Sequence, residues 1–414
     1  MDLLTDGIEQ GLVEKTEMTR KLTIGGKTKV YPVYRVHLDL LFYNDQNDRI
    51  TTWIEEYKIE HGDASIDMTE REAYNDLIEK FIVDSNPEKI EQTKNNIKLV
   101  DQREAGITLQ DGRIVDGNRR FTCLRQLHKK IPNKFAFFET VILTENLQRD
   151  AKNIKRLELA IQHGEEQRVD YDPIDRLAGL YNDVVRHQLL TVDEYASSVN
   201  RPVKEIETDL DIAQLLVEYL DYLQMPYQFH IARKNKLDGP LREIYPVIKS
   251  EKDEDRREDM KQVVFLQFSL NPMGDMTRYM RKVKKILKDR RQSDAFIEKQ
   301  MDIAEEVMDK ISDSKEISDN KLMETLESFK RGSEEAISAQ QTTDRFDEKI
   351  KATANREHAA HTLDKAIDSI NELDTNIFVK LSEEQLELIR EKADELIENV
   401  QQLKEATYVS DTAD

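Results

Sequence analysis

The fold of this chain is decided by one short stretch, Ile114-Val115-Asp116-Gly117-Asn118-Arg119-Arg120-Phe121. Two apolar runs, at 107–109 and 114–115, each lead into an Asp-Gly turn, which is the pattern of two short strands. A helical pattern begins at Phe121 and repeats at Leu124. The stretch therefore predicts strand, turn and helix in an α+β domain.

The same stretch places Asn118, Arg119 and Arg120 at or near the start of that helix, beside Gly117. Free backbone N–H groups, the positive end of the helix dipole and two guanidinium groups would converge there. That combination binds phosphate. The alternative is a hairpin whose arginines are only solvated, and spacing alone does not separate the two interpretations.

Residues 117–121 resemble the Gly-Glu-Arg-Arg box of the ParB/sulfiredoxin-like superfamily. Residues 44–50 are similar to that family's Asn-rich first box, which ends in arginine. Residues 159–163 stand where the family has Glu-Asn-Ile-Gln-Arg, and residues 171–178 resemble its Asn-Pro-Ile-Glu helix start. A helix-turn-helix region follows at 190–216, so the resemblance extends in order and spacing over residues 30–220.

The resemblance implies a ParB-like α+β N-terminal domain followed by mainly α-helical middle and C-terminal domains. It also implies a nucleoside triphosphate, CTP or ATP, with magnesium. The residues that it assigns to nucleotide or phosphate binding are Arg49, Asp116, Gly117, Asn118, Arg119, Arg120 and Gln162.

Four positions depart from the family. Asn118 replaces its glutamate, and Leu159 and Ala160 replace the Glu and Asn that help hold a metal-bound triphosphate. His163 replaces the arginine of that downstream box. The departures weaken the case for magnesium and for hydrolysis, and no catalytic residue is assigned. Sulfiredoxin chemistry is not expected either, because its cysteine would stand at Asn118.

Composition narrows the class of protein. The chain has 414 residues, of which 38% are hydrophobic and 35% charged, which is typical of two or three helical domains with long solvated faces. No apolar run approaches the ~18 residues of a membrane span, and no signal peptide is visible.

The single Cys123 excludes an internal disulfide and fits a cytoplasmic protein, in which we interpret it as a core residue rather than a reactive thiol. His358 and His361 lack a third ligand, so no metal site is predicted.

Composition and periodicity divide the chain into five segments. These are a ParB-like domain at 1–147, a helix-turn-helix-like domain at 148–223, a connector at 224–250, a charged helical region at 251–406 and a frayed tail at 407–414. The second helix of the helix-turn-helix carries Glu205, Glu207, Asp209 and Asp211. Those carboxylates would face DNA phosphates, which favours a structural three-helix unit over a DNA reader.

The net charge of −21 argues against broad, unaided binding to nucleic acid. One segment is nevertheless basic, and its cations are Arg278, Arg281, Lys282, Lys284, Lys285, Lys288, Arg290 and Arg291. It either binds nucleic acid or packs against acidic helices, in this chain or in a partner subunit. Both interpretations stay open.

The leading hypothesis is a nucleotide- or phosphate-binding protein in a DNA transaction of a bacterium or mobile element, such as partition, regulation or defence. One alternative is a ParB-type nuclease or NTPase of a phage-defence or plasmid-interference system, and another is a non-catalytic scaffold that retains the fold. The apolar stripe of the last helix, formed by Leu386, Ile389, Ala393 and Ile397, predicts a homo-oligomer. That stripe could instead pack within the chain, against the helix carrying Leu363 and Ile370.

Overall fold

The computed structural model describes residues 2–24, 27–44, 48–62, 66–144, 147–164, 172–271, 274–329 and 332–408. Contacts divide the chain into two compact units, Met1–Asp347 and Glu348–Asp414. The segment boundaries drawn from composition at 147, 223 and 250 fall inside the first unit, and they stay predictions.

In the described residues, six strands form one mixed sheet at the N-terminal end of the chain. They are β1 (Val13–Ile24), β2 (Lys27–His37), β3 (Phe42–Tyr43), β4 (Gly106–Leu109), β5 (Arg113–Asp116) and β6 (Phe137–Leu143). The strand order is β1-β2-β6-β4-β5-β3. The β4–β6 and β3–β5 pairs are parallel and the others antiparallel. The apolar runs at 21–24 and 30–36, on either side of Gly25-Gly26, predict a hairpin. It is confirmed, since β1 and β2 pair from Val13↔Val36 to Ile24↔Lys27.

The helices are α1 (Asp6–Glu9), α2 (Asp48–His61), α3 (Arg71–Ser85), α4 (Pro87–Val100), α5 (Asn118–His128), α6 (Leu147–Gly164), α7 (Pro173–Tyr181), α8 (Val192–Ser198), α9 (Val203–Tyr222), α10 (Phe229–Lys234), α11 (Asp238–Ser250), α12 (Glu254–Leu270), α13 (Met276–Lys288), α14 (Arg290–Ile317), α15 (Asp319–Ser328), α16 (Glu334–Asn371) and α17 (Glu383–Tyr408). Short 3₁₀ turns occupy Leu38–Leu40 and Thr375–Lys380, and a π turn occupies Asn182–Arg186. A mixed sheet followed by helices is compatible with the predicted α+β domain and helical domains. In the described part of the chain, no helix combines the length and apolar character that a bilayer span requires.

The sheet separates two apolar clusters, because successive side chains of a strand point to opposite faces. Phe138 and Ile142 of β6 lie in one cluster, with Phe121 of α5. Val141 of the same strand lies in the other, with Leu157 of α6. Helix α5 is thereby fixed to one face of the sheet, directly after β5.

Two predicted elements are shorter in the structure. The apolar run at 40–43 predicts a strand, but only the two residues of β3 form one. The reason is that the 3₁₀ turn follows β2, where the N–H of Asp39 donates to the His37 ring. The pattern at 173–189, with Asp172 as N-cap and Pro173 at the first helical position, predicts one helix, but the helix changes to the π turn at Asn182. Its predicted start is confirmed, since the Asp172 carboxylate accepts from the N–H of Ile174 at 2.8 Å.

Candidate phosphate site

The predicted strand–glycine–helix order is confirmed. Strand β5 ends at Asp116, Gly117 is the N-cap, and α5 begins at Asn118. Gly117 has φ 103°, a left-handed conformation that glycine adopts without strain. A Cβ there would lie 2.8 Å from the Phe138 ring, so only glycine fits at this turn.

Arg120 folds back over the start of its own helix. Its Nη1 donates to Glu104 Oε2 at 2.8 Å and its Nη2 to Asp116 Oδ2 at 3.0 Å. Asp116 also accepts from Arg20 Nη1 at 3.4 Å, and the same nitrogen donates to the carbonyl of Ala105. Arg120 is therefore held by two carboxylates, rather than only solvated.

Arg119 lies on a different side of α5, since consecutive helical residues are ~100° apart. It lies close to Cys123, whose thiol donates to the carbonyl of Ile90 in α4. Burial raises the pKa of Cys123 to about 12, although Lys94 and Arg119 partly offset that effect. The interpretation of Cys123 as a core residue is therefore confirmed. Of the two arginines of the box, it is Arg120 that lies beside Glu104 and Asp116.

Asn118 occupies the first position of α5 and is 8% exposed. Its Oδ1 is buried and accepts no hydrogen bond from the described residues. Buried amide oxygens are normally paired, so this position suits a ligand or water that donates a hydrogen bond.

A cleft of about 290 Å³ adjoins the box. It is lined by Met18, Thr19, Arg20, Val33, Arg103, Glu104 and Ala105. The sequence did not reveal it, because its walls come from β1, from β2 and from the loop before β4, which meet only through the sheet order. Glu104 joins the cleft to the box, since it lines the cleft and accepts from Arg120.

The remaining predicted ligands are less informative. Arg49 lies in α2 and Gln162 in α6, but the structure does not describe their side chains. Residues 45–47 of the first box also lie outside the described residues. Leu159 is fully buried in an apolar cluster and is a core residue. Among the described residues, no three His, Cys, Asp or Glu side chains are placed to hold a metal ion. Magnesium stays a prediction.

Residues 190–216 contain α8 and the first part of α9. The spacing of Thr191 and Glu194 predicts a capping box at the start of α8, and this box is confirmed. Asp209 of α9 accepts from Arg201 and from Arg242 of α11, both at 2.7 Å. Burial raises the pKa of Asp209, but these hydrogen bonds outweigh it and the net shift is downward. Such pairs within the chain favour the structural three-helix interpretation, and DNA reading by α9 stays a prediction.

The basic segment lies on α13 and the start of α14. Arg281 and Lys284 donate to Glu243 of α11 at 3.1 and 2.8 Å, and Lys282 pairs with Asp344 at 2.7 Å. Further pairs join Lys285 to Asp347, Arg290 to Glu251 and Arg291 to Asp289. Arg278 and Lys288 are exposed. Most of these cations are neutralised within the chain, which favours packing over nucleic-acid contact; the latter stays a prediction.

Comparison with known proteins adds a fold-level link. Neither a protein-family profile nor a curated protein sequence matches the chain. Among solved structures, the chain is similar to a Pnob8-like ParB-N domain crystallised in a C2221 form. The identity is 14% and the TM-score 0.35, over 64% of this chain and 96% of that one. This is a weak similarity, at the level of the fold, and it says nothing about activity.

Proposed function

We propose that this protein binds a phosphate-bearing ligand, a nucleoside triphosphate or a nucleic-acid phosphate, at the start of α5. We further propose that it acts in a DNA transaction of a bacterium or mobile element. The supporting observation is the position of Arg120, which lies over the left-handed Gly117 and beside a cleft that Arg20 and Arg103 line. Guanidinium groups at a helix N-terminus favour phosphate through both charge and hydrogen-bond geometry.

The local charge supports this proposal. The chain carries a net charge of −21, yet Arg20, Arg103 and Arg120 gather around this cleft against the two carboxylates of Glu104 and Asp116. A local excess of cationic charge in an acidic protein attracts anions selectively to that place.

The proposal is binding without hydrolysis. Leu159 is committed to the core and Ala160 has no donor atom, so neither can ligate a metal-bound triphosphate. Glu158, a carboxylate of the same helix, is 2% exposed. Asp116 already pairs with both Arg20 and Arg120. The nuclease or NTPase alternative would need carboxylates from elsewhere.

Calorimetric titration with CTP, ATP, GTP and short duplex DNA, each with and without magnesium, tests the proposal. Replacing both Arg119 and Arg120 by Ala should weaken binding by about 2–4 kcal/mol, because charge-assisted hydrogen bonds are lost. Arg35→Ala is the matched control, since Arg35 is a half-exposed arginine of the same sheet paired with Glu14. Unchanged binding by the folded double variant would refute the site.

A contact between DNA and the segment 278–291 would use Arg278 and Lys288, the exposed cations for which no pair within the described chain is found. Replacing both by Ala should flatten the salt dependence of DNA binding by about 0.9 for each lost phosphate contact. An unchanged salt dependence would restrict any DNA contact to the rest of the protein.

A further inference from the structure

Arg120 already holds an anion of the protein itself. Its guanidinium group bonds to Asp116 on one side and to Glu104 on the other. The two carboxylates differ in surroundings, because the Asp116 side chain is 13% exposed whereas that of Glu104 is 63% exposed. Asp116 belongs to the fixed end of β5, and Glu104 belongs to the loop before β4.

Glu104 is not the sole carboxylate at Arg120. Asp116 pairs with Arg120 at 3.0 Å and with Arg20 at 3.4 Å, so without Glu104 two guanidinium groups would share one carboxylate. A carboxylate that is mostly in water exchanges a protein partner for water at little cost, so its bond to Arg120 is easily given up. The Glu104 side chain can therefore leave Arg120 while the end of β5 stays in place.

The cleft that Glu104 lines offers further cationic groups. Arg103 lines it and forms no ion pair among the described residues, and Arg20 and Thr19 line it as well. A ligand with one phosphate would meet Arg120 alone, whereas a chain of phosphates could extend from Arg120 towards Arg103. The cleft volume of about 290 Å³ is near the small end of ligand pockets, which suits a compact polyphosphate group.

We infer that the Glu104 carboxylate is a resident plug, which occupies the place at Arg120 that a di- or triphosphate group takes when it enters the Arg20–Arg103 cleft. The inference rests on the proposed function and deepens it, because it names the group recognised and the side chain that competes with it. Ligand phosphate and Glu104 exclude each other at Arg120, so removing the negative charge of Glu104 favours the ligand.

The test uses inorganic triphosphate, pyrophosphate and monophosphate as probes in calorimetric titrations of the full chain. Glu104→Gln should bind triphosphate about tenfold more tightly, since a charged competitor becomes neutral, and Arg103→Ala should bind it about tenfold more weakly. Monophosphate affinity should change less in Arg103→Ala than triphosphate affinity, since only the longer probe reaches Arg103.

Matched controls are Glu14→Gln and Arg35→Ala, which make the same charge changes at a paired glutamate and arginine of the sheet that do not line the cleft. Both should stay within about twofold of the parent, as expected for a charge outside contact range. Melting curves establish that each variant is folded.

The outcomes separate the inference from the function on which it rests. If Arg119→Ala with Arg120→Ala abolishes triphosphate binding while Glu104→Gln matches the parent, the plug is refuted and the phosphate site stands. If triphosphate binds equally to the parent and the double arginine variant, or to neither of them, both are refuted. Tighter binding by Glu14→Gln as well as Glu104→Gln would indicate a general charge effect and would overturn the plug.

Discussion

Leu322 in α15 and Leu403 in α17 both lie on amphipathic helices, yet the first is fully buried and the second is 56% exposed. The difference extends to the two units that contain them. Residues 1–347 hold both apolar clusters of the sheet and the fully buried Phe268, Phe296 and Phe346. In residues 348–414, the described apolar side chains from Leu363 onwards are mostly exposed.

The comparison shows that an amphipathic pattern predicts that one face of a helix is buried, but does not predict which surface buries it. In α17 the apolar positions recur in alternating steps of three and four residues, at Leu386, Ile389, Ala393, Leu396, Val400 and Leu403. That heptad is the pattern of a helix that packs along a second helix. The alternative was that this stripe packs within the chain, against the helix that carries Leu363 and Ile370. The structure does not show that packing, since these two residues of α16 are 47% and 45% exposed.

The largest difference between the two units should come from deleting a core side chain. Phe296 is fully buried against Phe346, with ring centroids 5.5 Å apart. Phe296→Ala should lower the free energy of unfolding of residues 1–347 by about 3–5 kcal/mol through lost burial and a cavity. Leu396→Ala, at a 40% exposed position of α17, should leave that transition unchanged. Urea titration measures both, and equal losses would show that the two units unfold together.

The next largest effect concerns a buried acid. Burial raises the pKa of Glu55 to about 7, although Arg186, 3.6 Å away, partly offsets it. Below pH 4.5 the carboxyl is neutral folded and unfolded, so its full contribution to stability is present. As the pH rises from 4.5 to about 7, the carboxyl ionises in the unfolded state but stays neutral in the folded state. Roughly 3 kcal/mol of folding stability at most is lost over this range.

Glu55→Gln should therefore be more stable than the parent at pH 8 and little different at pH 4.5. Subtracting the two urea profiles at each pH isolates Glu55 from His230, whose pKa burial lowers to about 4. The control is Glu395→Gln in α17, where a hydrogen bond from Lys392 lowers the pKa of an exposed carboxyl. A parent and Glu55→Gln that follow the same pH dependence would contradict this account.

A smaller loss of stability should follow from removing a buried hydrogen bond. Gln300 accepts from Gln267 at 2.9 Å and donates to the carbonyl of Ala339 at 3.1 Å, in the core where Tyr279 and Thr343 also bond. Gln300→Leu removes the acceptor of the buried Gln267 amide, whereas the Ala339 carbonyl still accepts from Thr343, and should cost about 1–3 kcal/mol.

Its counterpart in the other unit is Gln402→Leu, at an exposed position of α17. Calorimetric melting should show a lower temperature for Gln300→Leu alone. Equal melting temperatures would mean that the core network contributes nothing to stability.

Local pattern predicted much of the fold. The β1–β2 hairpin, the start of α5 after Gly117 and the Thr191 capping box follow from residues close together in the chain, where turn and cap chemistry decide. The pairing of Arg20 with Asp116 joins residues 96 apart and depends on which strands meet. For that reason the cleft beside the box, and the role of Glu104 in it, could be found only in the structure.

The ion pairs of the basic segment show the same limit. The sequence identified the charges of α13 but not Glu243 or Asp344, which neutralise them from α11 and α16. The sequence also could not place the π turn at Asn182, because it depends on backbone bonds beyond the helix, where the carbonyl of Asp183 accepts from Leu189 at 2.8 Å.

The smallest effect on stability, with the clearest effect on assembly, is expected in α17. Leu396 and Leu403 are 40% and 56% exposed. We therefore expect the full chain to cover them with a second copy at micromolar concentration. Replacing both by Asp should yield a monomer by light scattering, since a charge cannot be buried at a helix seam without a partner. The unfolding free energy of residues 1–347 should change by less than about 0.5 kcal/mol, as is usual for exposed positions.

The matched control replaces Glu387 and Glu398, which lie on the other faces of α17, by Ala and should keep the assembly of the parent. Point variants are preferable to a chain shortened near Lys249, since that cut falls within residues 1–347 and removes α12 to α15 from their own core. A parent that is already monomeric at micromolar concentration would show that the stripe of α17 is not a self-association surface. In that case Leu396 would be exposed for a different partner, and the contrast with Leu322 would be one of binding rather than of oligomerisation.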